Sequence, residues 1–307
     1  MNGLELSRAF FEEYGRPMLE QDFPQLLPFL AAGLTGSGSE CFGYDDECSQ
    51  DHDFEPGFCL FLPGEELVDR RSAFLLERAY AKLPRSFRGF TRPAMLPVGG
   101  ARRGVLRTAE FFLKTVGTED GRLSLDQWLG LPEQALLEAT DGELFFDNLG
   151  EVTHIRESLA YFPEDIRRKR LAGQLLLMAQ SGQYNYERCL RHGEAAAARL
   201  AAFEFVNSAL AAVFLLNRRY RPYYKWTFRA LRSLPELSAL SVPLEAILTG
   251  ADGTQQRIDQ VSSAVAAALT AQDLTRVPGD DLERHAYAVN DRIADPEIRN
   301  MHILAAV

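Results

Sequence analysis

The apolar pattern of the chain changes at Pro163. Beyond that residue, apolar side chains recur at the three- and four-residue intervals of one helix face. Before it, short apolar segments at 105–108 and 143–147 alternate with helical patterns and glycine-rich turns, which predicts strands together with helices. We therefore predict an α+β domain with a mixed sheet over residues 1–160, followed by a helical bundle domain over 161–307.

Four further segments have local patterns that predict single elements. Residues 5–14 and 65–83 carry apolar side chains at helical spacing, and 124–140 has the pattern of a short helical insert. Residues 51–62 are apolar and aromatic after an acidic start, and we predict that they form one strand.

The overall charge excludes some classes of protein. The 307 residues carry 33 Lys and Arg against 43 Asp and Glu, a formal net charge of −10. A dedicated duplex-DNA binder needs a cationic face, so we expect no nucleic-acid partner. The longest uninterrupted apolar stretch, 209–216, has eight residues, whereas a membrane span needs about twenty. The four cysteines and the absence of a signal-peptide pattern predict free thiols and a cytoplasmic location without membrane contact.

The charge is unevenly distributed along the chain. Residues 1–70 contain 15 acidic and three basic side chains, whereas no Asp or Glu occurs at 205–235. An acidic and a cationic segment that face each other across a cleft would suit a metal–polyphosphate ligand, because metals need carboxylates and phosphates need cations.

A glycine–serine turn followed by paired carboxylates carries the most specific chemical signal. The turn is Gly36-Ser37-Gly38-Ser39, and Asp51-His52-Asp53 follows after a short spacer. Such a turn lets a phosphate approach the backbone closely. Residues two apart in a strand point to the same face, so Asp51 and Asp53 are expected to project together. Two adjacent carboxylates repel unless a cation lies between them, and oxygen ligands of this kind suit Mg²⁺.

This arrangement resembles the nucleotidyltransferase superfamily with the polymerase-β-like fold, whose signature is a Gly-Ser turn, a spacer, and Asp-x-Asp or Asp-x-Glu on a strand. Gly36-Ser37 and Gly38-Ser39 are both candidates for the phosphate-binding turn. Residues 38–53 match the pattern Gly-Ser-x-x-x-Gly-x-Asp-Asp-x-x-Ser-x-Asp-His-Asp of an uncharacterised bacterial branch of unknown function, which favours the second pair. That branch is similar to the aminoglycoside and minimal nucleotidyltransferases, which append a helical C-terminal domain.

The resemblance implies a metal-dependent transfer of a nucleoside monophosphate from a nucleoside triphosphate, with ATP as the expected donor, to a hydroxyl of a small molecule or protein. Asp51 and Asp53 would then be catalytic carboxylates that hold one or two Mg²⁺ ions, while Gly38 and Ser39 would hold the β- and γ-phosphates. In-line attack needs positioning and charge neutralisation more than covalent help from the protein. The alternative is a non-catalytic nucleotide-binding module that keeps the fold.

The resemblance also implies a third carboxylate from a later strand, which binds metal or accepts the acceptor's proton. Glu110 lies just past the predicted strand 105–108, Asp147 ends the predicted strand 143–147, and Glu143 shares a strand face with Asp147. The sequence leaves the choice among these three acids open.

The cationic stretch supplies candidates for phosphate binding from the second domain. In related enzymes with a helical second domain, a Lys commonly reaches the nucleotide phosphates. Lys225 is the first candidate here, followed by Arg218 as a second cation and Tyr224 as a ring that can stack on the base. A solvated helix end is the structural alternative. The run Arg167-Arg168-Lys169-Arg170 is predicted to be a solvated helix face.

Overall fold

The structure is a computed structural model, and it describes residues 1–47, 54–92 and 103–307. Its contacts divide the chain into two compact units. Unit 1 comprises Met1–Leu123 and Ala135–Ala160, and unit 2 comprises Ser124–Gln134 and Tyr161–Val307. The short segment Ser124–Gln134 thus belongs to unit 2, although the chain returns to unit 1 after it.

The described residues contain a small set of short strands and a larger set of helices. The strands are β1 (Ala31–Leu34), β2 (Cys59–Leu62), β3 (Ser86–Phe87), β4 (Phe90–Thr91), β5 (Gly104–Arg107) and β6 (Glu143–Asp147). The helices are α1 (Gly3–Phe10), α2 (Arg16–Asp22), α3 (Arg70–Lys82), α4 (Thr108–Val116), α5 (Leu125–Gly130), α6 (Glu133–Thr140), α7 (Glu151–Ser158), α8 (Glu164–Met178), α9 (Glu187–Arg191), α10 (Ala195–Leu216), α11 (Tyr224–Leu231), α12 (Ser241–Thr249), α13 (Thr254–Ala271), α14 (Leu282–Asp291) and α15 (Pro296–Asn300). The mixed α+β class predicted from the sequence is confirmed.

The main sheet of unit 1 has the strand order β5-β2-β1-β6. β1 pairs antiparallel with β2 and β6, and β2 pairs parallel with β5. Gly33 lies opposite Cys59, and Leu34 lies opposite Glu143. The end of β1 therefore lies beside the starts of β2, β5 and β6. We call this end of the sheet the turn end, because the Gly–Ser turn follows β1 there, and the opposite end the far end.

Aromatic side chains form much of the core of unit 1. Phe10 and Phe11, at the junction of α1 with a π-helical turn, are fully buried. The Phe11 ring packs edge-on against Phe58, with ring centroids 5.1 Å apart. Tyr80 of α3 donates its hydroxyl to the Phe58 carbonyl oxygen (2.8 Å) and accepts from the Phe58 amide (3.0 Å). These contacts fix the chain immediately before β2.

The predicted strand at 51–62 is too long. Within the described part of this segment, 54–62, Cys59–Leu62 form the strand and residues 54–58 approach it irregularly, with a bend at Pro56 where the sequence had suggested a bulge. Proline has no amide hydrogen to donate to a ladder, so Pro56 ends regular pairing at this point. Asp51 and Asp53, the start of the predicted strand, lie outside the described residues.

Other local predictions match the structure more closely. The predicted strand at 143–147 is β6, and the predicted strand at 105–108 corresponds to β5, which leads directly into α4. The predicted helix at 65–83 begins only at Arg70, because the Asp69 side chain caps it by accepting from the Ser72 amide (2.7 Å).

Helix α8 is the central element of unit 2. Its four consecutive cations donate to main-chain carbonyl oxygens at the carboxyl ends of four other helices. The acceptors are Leu215 in α10 for Arg167 (3.3 Å), Arg292 after α14 for Arg168 (2.8 Å), Met301 after α15 for Lys169 (2.7 Å) and Leu129 in α5 for Arg170 (2.8 Å). Successive residues of a helix point in directions about 100° apart, so four in a row face all sides.

This arrangement corrects the prediction of a solvated helix face for the same run. Arg167 is 3% exposed and Lys169 is 0% exposed. Cations stabilise helix carboxyl ends because the last carbonyl oxygens lack helical partners and carry partial negative charge. A run of consecutive cations therefore fits two kinds of helix. One is exposed to solvent, and the other, like α8, contacts the carboxyl ends of several neighbouring helices.

Helix α10 is long and apolar enough to cross a membrane by length and composition, with a mean hydropathy of 1.6 over its best window. Within the described residues it is the one helix of this kind, and 67% of that window is buried inside the structure. α10 packs against α8, α12 and α13. Its apolar composition is accounted for by this central position in unit 2.

Candidate functional site

The Gly–Ser turn leaves β1 at the turn end of the sheet. The Thr35 hydroxyl donates to the Asp141 carbonyl oxygen (2.8 Å), which ties the start of the turn to the loop before β6. Gly36 and Gly38 have φ angles of +99° and +127°, a region that L side chains rarely adopt. The backbone thus favours glycine at both positions. Gly36 is buried, whereas Ser37 is exposed and Gly38 and Ser39 are half-buried, so the second half of the turn is the part that a ligand can reach.

A buried ion pair lies directly after the turn. Glu40 and Arg103 are 7% and 6% exposed, and their side chains form a salt bridge. Burial acts to lower the pKa of Arg103, but the nearby Cys41, Cys59 and Glu40 outweigh it, so the pKa is raised. Glu40 therefore serves to anchor the turn to the start of β5.

Glu143 lies at the turn end of the sheet. It is the first residue of β6 and pairs with Leu34, two residues before the Gly–Ser turn. Its side chain is 42% exposed and forms an ion pair with Arg8 of α1. The Arg8 guanidinium also lies 4.8 Å from the centre of the Phe145 ring. Of the three acids considered as a third carboxylate, Glu143 is the one that the strand register brings beside the turn.

Asp147 and Glu110 lie at the far end. Asp147 is the last residue of β6, opposite Ala31, and its carboxylate accepts from the amides of Gly150 (2.9 Å) and Thr153 (2.7 Å) at the start of α7. Glu110 follows β5 in the first turn of α4 and lines a cleft of about 290 Å³ at the far end. The structure does not bring either acid beside the Gly–Ser turn.

Asp51 and Asp53, the two expected metal ligands, lie outside the described residues. Among residues 1–47, 54–92 and 103–307, no group of three or more His, Cys, Asp or Glu side chains is arranged to hold a metal ion.

The candidates from the cationic stretch have different environments in unit 2. Lys225 is exposed, with its Nζ 5.2 Å from the centre of the Trp226 ring. Tyr224 is 76% exposed. Arg218, by contrast, is ion-paired with Glu164 at the start of α8 (2.6 Å). Lys225 and Tyr224 are therefore accessible to a ligand, while Arg218 helps to hold α8 to the loop after α10.

Sequence reasoning missed a polar cluster around Glu133 in unit 2. The Glu133 carboxylate accepts from the Arg221 amide (2.6 Å). Burial raises the pKa of Glu133, although Arg221 and Arg170 act in the opposite direction. Burial likewise raises the pKa of Tyr161 and Tyr220, which both lie close to Glu133. No local pattern marks Glu133, because its partners lie 28 to 88 residues further along the chain.

Comparison with known proteins matches one part of the chain. Residues 128–227 are similar to a family described as "Domain of unknown function (DUF4037)". The match covers about a third of the chain, including α8, α10 and Glu133, Glu143, Asp147 and Lys225. It does not include the Gly–Ser turn, Asp51 or Asp53. No curated protein and no solved structure matches the chain.

Proposed function

We propose that the protein is a Mg²⁺-dependent nucleotidyltransferase that moves a nucleoside monophosphate from a nucleoside triphosphate, with ATP as the donor, to a hydroxyl of a small molecule or protein. Residues 1–160 are proposed to form the nucleotidyltransferase-like domain and residues 161–307 the helical domain. The proposed location is the cytoplasm.

The position of the Gly–Ser turn is the observation that carries this proposal. The turn follows β1 at the end of the sheet where β2 starts, and the Asp-x-Asp pair precedes β2 by a few residues. Positive φ angles at Gly36 and Gly38 favour glycine, whose lack of a side chain would let a phosphate approach the backbone. A turn of this kind and, six residues before β2 in the sequence, a pair of carboxylates suited to a metal ion are the parts needed for phosphoryl chemistry.

Glu143 is the third carboxylate that the strand register favours. It lies at the turn end, whereas Asp147 caps α7 and Glu110 faces a cleft at the far end. In the proposed reaction, Asp51 and Asp53 would hold Mg²⁺, whose charge would neutralise the triphosphate. The acceptor oxygen would bond to the α-phosphorus as the bond to the leaving pyrophosphate breaks. Glu143, once released from Arg8, would either join the metal ligands or accept the proton of the acceptor hydroxyl.

The ion pair between Arg8 and Glu143 also favours the alternative, a non-catalytic nucleotide-binding module. If Glu143 stays paired with Arg8, none of the three acids is available for chemistry at the turn end. In that case nucleotide binding would persist without transfer.

Incubation of the protein with each α-³²P-labelled nucleoside triphosphate, Mg²⁺ and a cell extract tests the proposal. We expect a labelled product that disappears with Asp51→Asn together with Asp53→Asn. Binding of labelled nucleotide without any labelled product, under conditions where the protein is folded, would support the non-catalytic module instead.

A further inference from the structure

Helix α11 carries exposed aromatic rings beside cations. Tyr223, immediately before the helix, is 48% exposed and Tyr224 is 76% exposed, with their ring centroids 4.3 Å apart. Lys225 and Arg229 both lie over the Trp226 ring, at 5.2 Å and 5.9 Å from its centre. We call these five residues the α11 surface.

The α11 surface is outward-facing because the apolar side of the helix is used for packing. Thr227, Ala230 and Leu231 are buried on that side. The cations that flank the surface are engaged elsewhere: Arg221 donates to Asn207 (3.0 Å), and Arg232 is ion-paired with Glu245. Lys225 and Arg229 are the cations that lie on the exposed side of α11, both against the Trp226 ring.

We infer that the α11 surface binds single-stranded nucleic acid. Exposed aromatic rings are stacking platforms for unpaired bases, and neighbouring cations hold the phosphates between those bases. No acidic residue occurs at 205–235, so no carboxylate of this stretch repels the backbone. A duplex fits less well, because its bases are already stacked and its charge density calls for more cations.

The distribution of side chains around α11 also favours single-stranded nucleic acid over a membrane surface as the partner. A helix that lies on a membrane inserts an aliphatic and aromatic face and keeps its cations on the other side. In α11 the aliphatic side is buried in unit 2, and Tyr224, Lys225 and Arg229 share the exposed side. The inference assigns to Lys225 and Tyr224 a ligand other than the donor nucleotide for which the sequence made them candidates. It also replaces the expectation of no nucleic-acid partner, which rested on the net charge and on duplex DNA. Because it needs neither Mg²⁺ nor a triphosphate, its test can fail without deciding the proposed function.

Fluorescence anisotropy of the full chain with an end-labelled twelve-nucleotide RNA of mixed sequence, in EDTA, tests the inference. Tyr224→Ala should weaken binding by about five- to a hundredfold, the range that loss of one stacked base produces. Tyr224→Trp should retain binding, because the larger ring also stacks. Lys225→Ala should reduce the slope of log affinity against log salt by about 0.7, the value for one phosphate contact to a single strand.

Two matched substitutions serve as controls. Tyr287→Ala removes a tyrosine of α14 that is 50% exposed, and Arg276→Ala removes a cation that is 83% exposed. Both should bind the oligonucleotide like the parent chain. Equal affinity of Tyr224→Ala and the parent would overturn the inference, as would equal affinity for the duplex form or for AMP. Binding to anionic phospholipid vesicles without binding to the oligonucleotide would overturn it in favour of a membrane surface.

Discussion

The half-buried carboxyl of Glu133 is expected to make the stability of the protein depend on pH. Burial raises its pKa above the ordinary 4.5, so the folded state binds a proton more readily than the unfolded state. Where the folded state holds more protons, stability falls as pH rises. The contribution of Glu133 to the free energy of unfolding is therefore complete below about pH 4.5 and is lost as pH rises through the pKa of the folded state.

Glu133→Gln should therefore remove part of the decline in stability above pH 4.5. Its amide oxygen still accepts from the Arg221 amide, and it carries no charge to bury. Glu133→Ala should remove the same pH dependence and should in addition be about 1–3 kcal/mol less stable than Glu133→Gln, because the Arg221 amide loses its acceptor. Urea unfolding of the parent and both variants between pH 4.5 and 8 measures this. Parallel curves for the parent and Glu133→Gln would contradict the prediction.

The paired carboxylates Asp51 and Asp53 are expected to carry the metal-dependent part of nucleotide binding. Isothermal titration should show that ATP binds the parent chain with Mg²⁺ more tightly than without it. The double substitution Asp51→Asn with Asp53→Asn should abolish that difference, because amides do not neutralise the metal. An undiminished effect of Mg²⁺ in the double variant would remove the basis for the nucleotidyltransferase assignment.

Lys225 is expected to recognise the β- and γ-phosphates if it is the lysine that reaches the nucleotide, as the sequence suggested. A charge-assisted hydrogen bond contributes about 1.5–3 kcal/mol, so Lys225→Ala should weaken ATP binding about ten- to a hundredfold. AMP binding should change much less. Lys225→Arg should restore part of the affinity, because the guanidinium differs in reach and geometry. Equal losses for ATP and AMP would indicate base contacts or packing.

At the scale of elements, contact with helix α7 distinguishes Asp147 from Glu143, two acids between which the sequence could not choose. Asp147→Asn should weaken the hydrogen bonds to the amides of Gly150 and Thr153, lowering stability by about 1 kcal/mol without changing Mg²⁺-dependent ATP binding. Glu143→Gln should leave α7 intact and reduce nucleotide transfer. Thermal unfolding and the labelled transfer assay, applied to both variants, separate the two roles. The reverse pattern would assign the chemistry to Asp147.

Helix α8 is expected to dominate the stability of unit 2. Lys169→Ala leaves the Met301 carbonyl oxygen and the Asn290 amide oxygen without their shared donor, whereas the Arg299 carbonyl oxygen still accepts from the Asn290 amide group. Buried acceptors without a donor cost about 1–3 kcal/mol each before relaxation, so a large loss is expected. The exposed control Arg276→Ala should change stability by less than about 0.5 kcal/mol. Chemical unfolding curves compare the two, and a small effect of Lys169→Ala would show that the carbonyl groups find other donors.

At the scale of the whole molecule, Ser124–Gln134 links the two units through the chain. A fragment of residues 161–307 would lack this segment, which supplies the Leu129 carbonyl to Arg170 and the Glu133 carboxylate to Arg221. The fragment should therefore unfold at a lower temperature than unit 2 in the full chain. A synthetic peptide of residues 124–134 should raise its Tm. Circular dichroism measures both, and a peptide without effect would show that the segment adds little to unit 2.

Local sequence patterns predicted the elements whose signal lies within a short window. The apolar run of β6 and the order of a strand at β5 followed by the helix α4 can be read from such windows. The Gly–Ser turn could also be predicted, because positive φ angles at Gly36 and Gly38 are accessible chiefly to glycine. In contrast, β1 has the sequence Ala-Ala-Gly-Leu and carries no strand pattern of its own. It is a strand because β2 and β6 pair with it on both sides, with Gly33 so close to β6 that a side chain would collide with the Glu143 carbonyl oxygen.

The sequence by itself determined the mixed α+β class, the glycine turn and a set of acids and cations from which a site can be built. Only the tertiary structure decided which of those charges are available. Strand register placed Glu143 beside the turn and Asp147 at the far end, and four converging helix ends took up the cations Arg167–Arg170. The physical reason is that the residue type alone does not indicate whether a charged side chain faces water, a ligand or a carbonyl oxygen. Its partner comes from a distant part of the chain, and folding alone brings the two together.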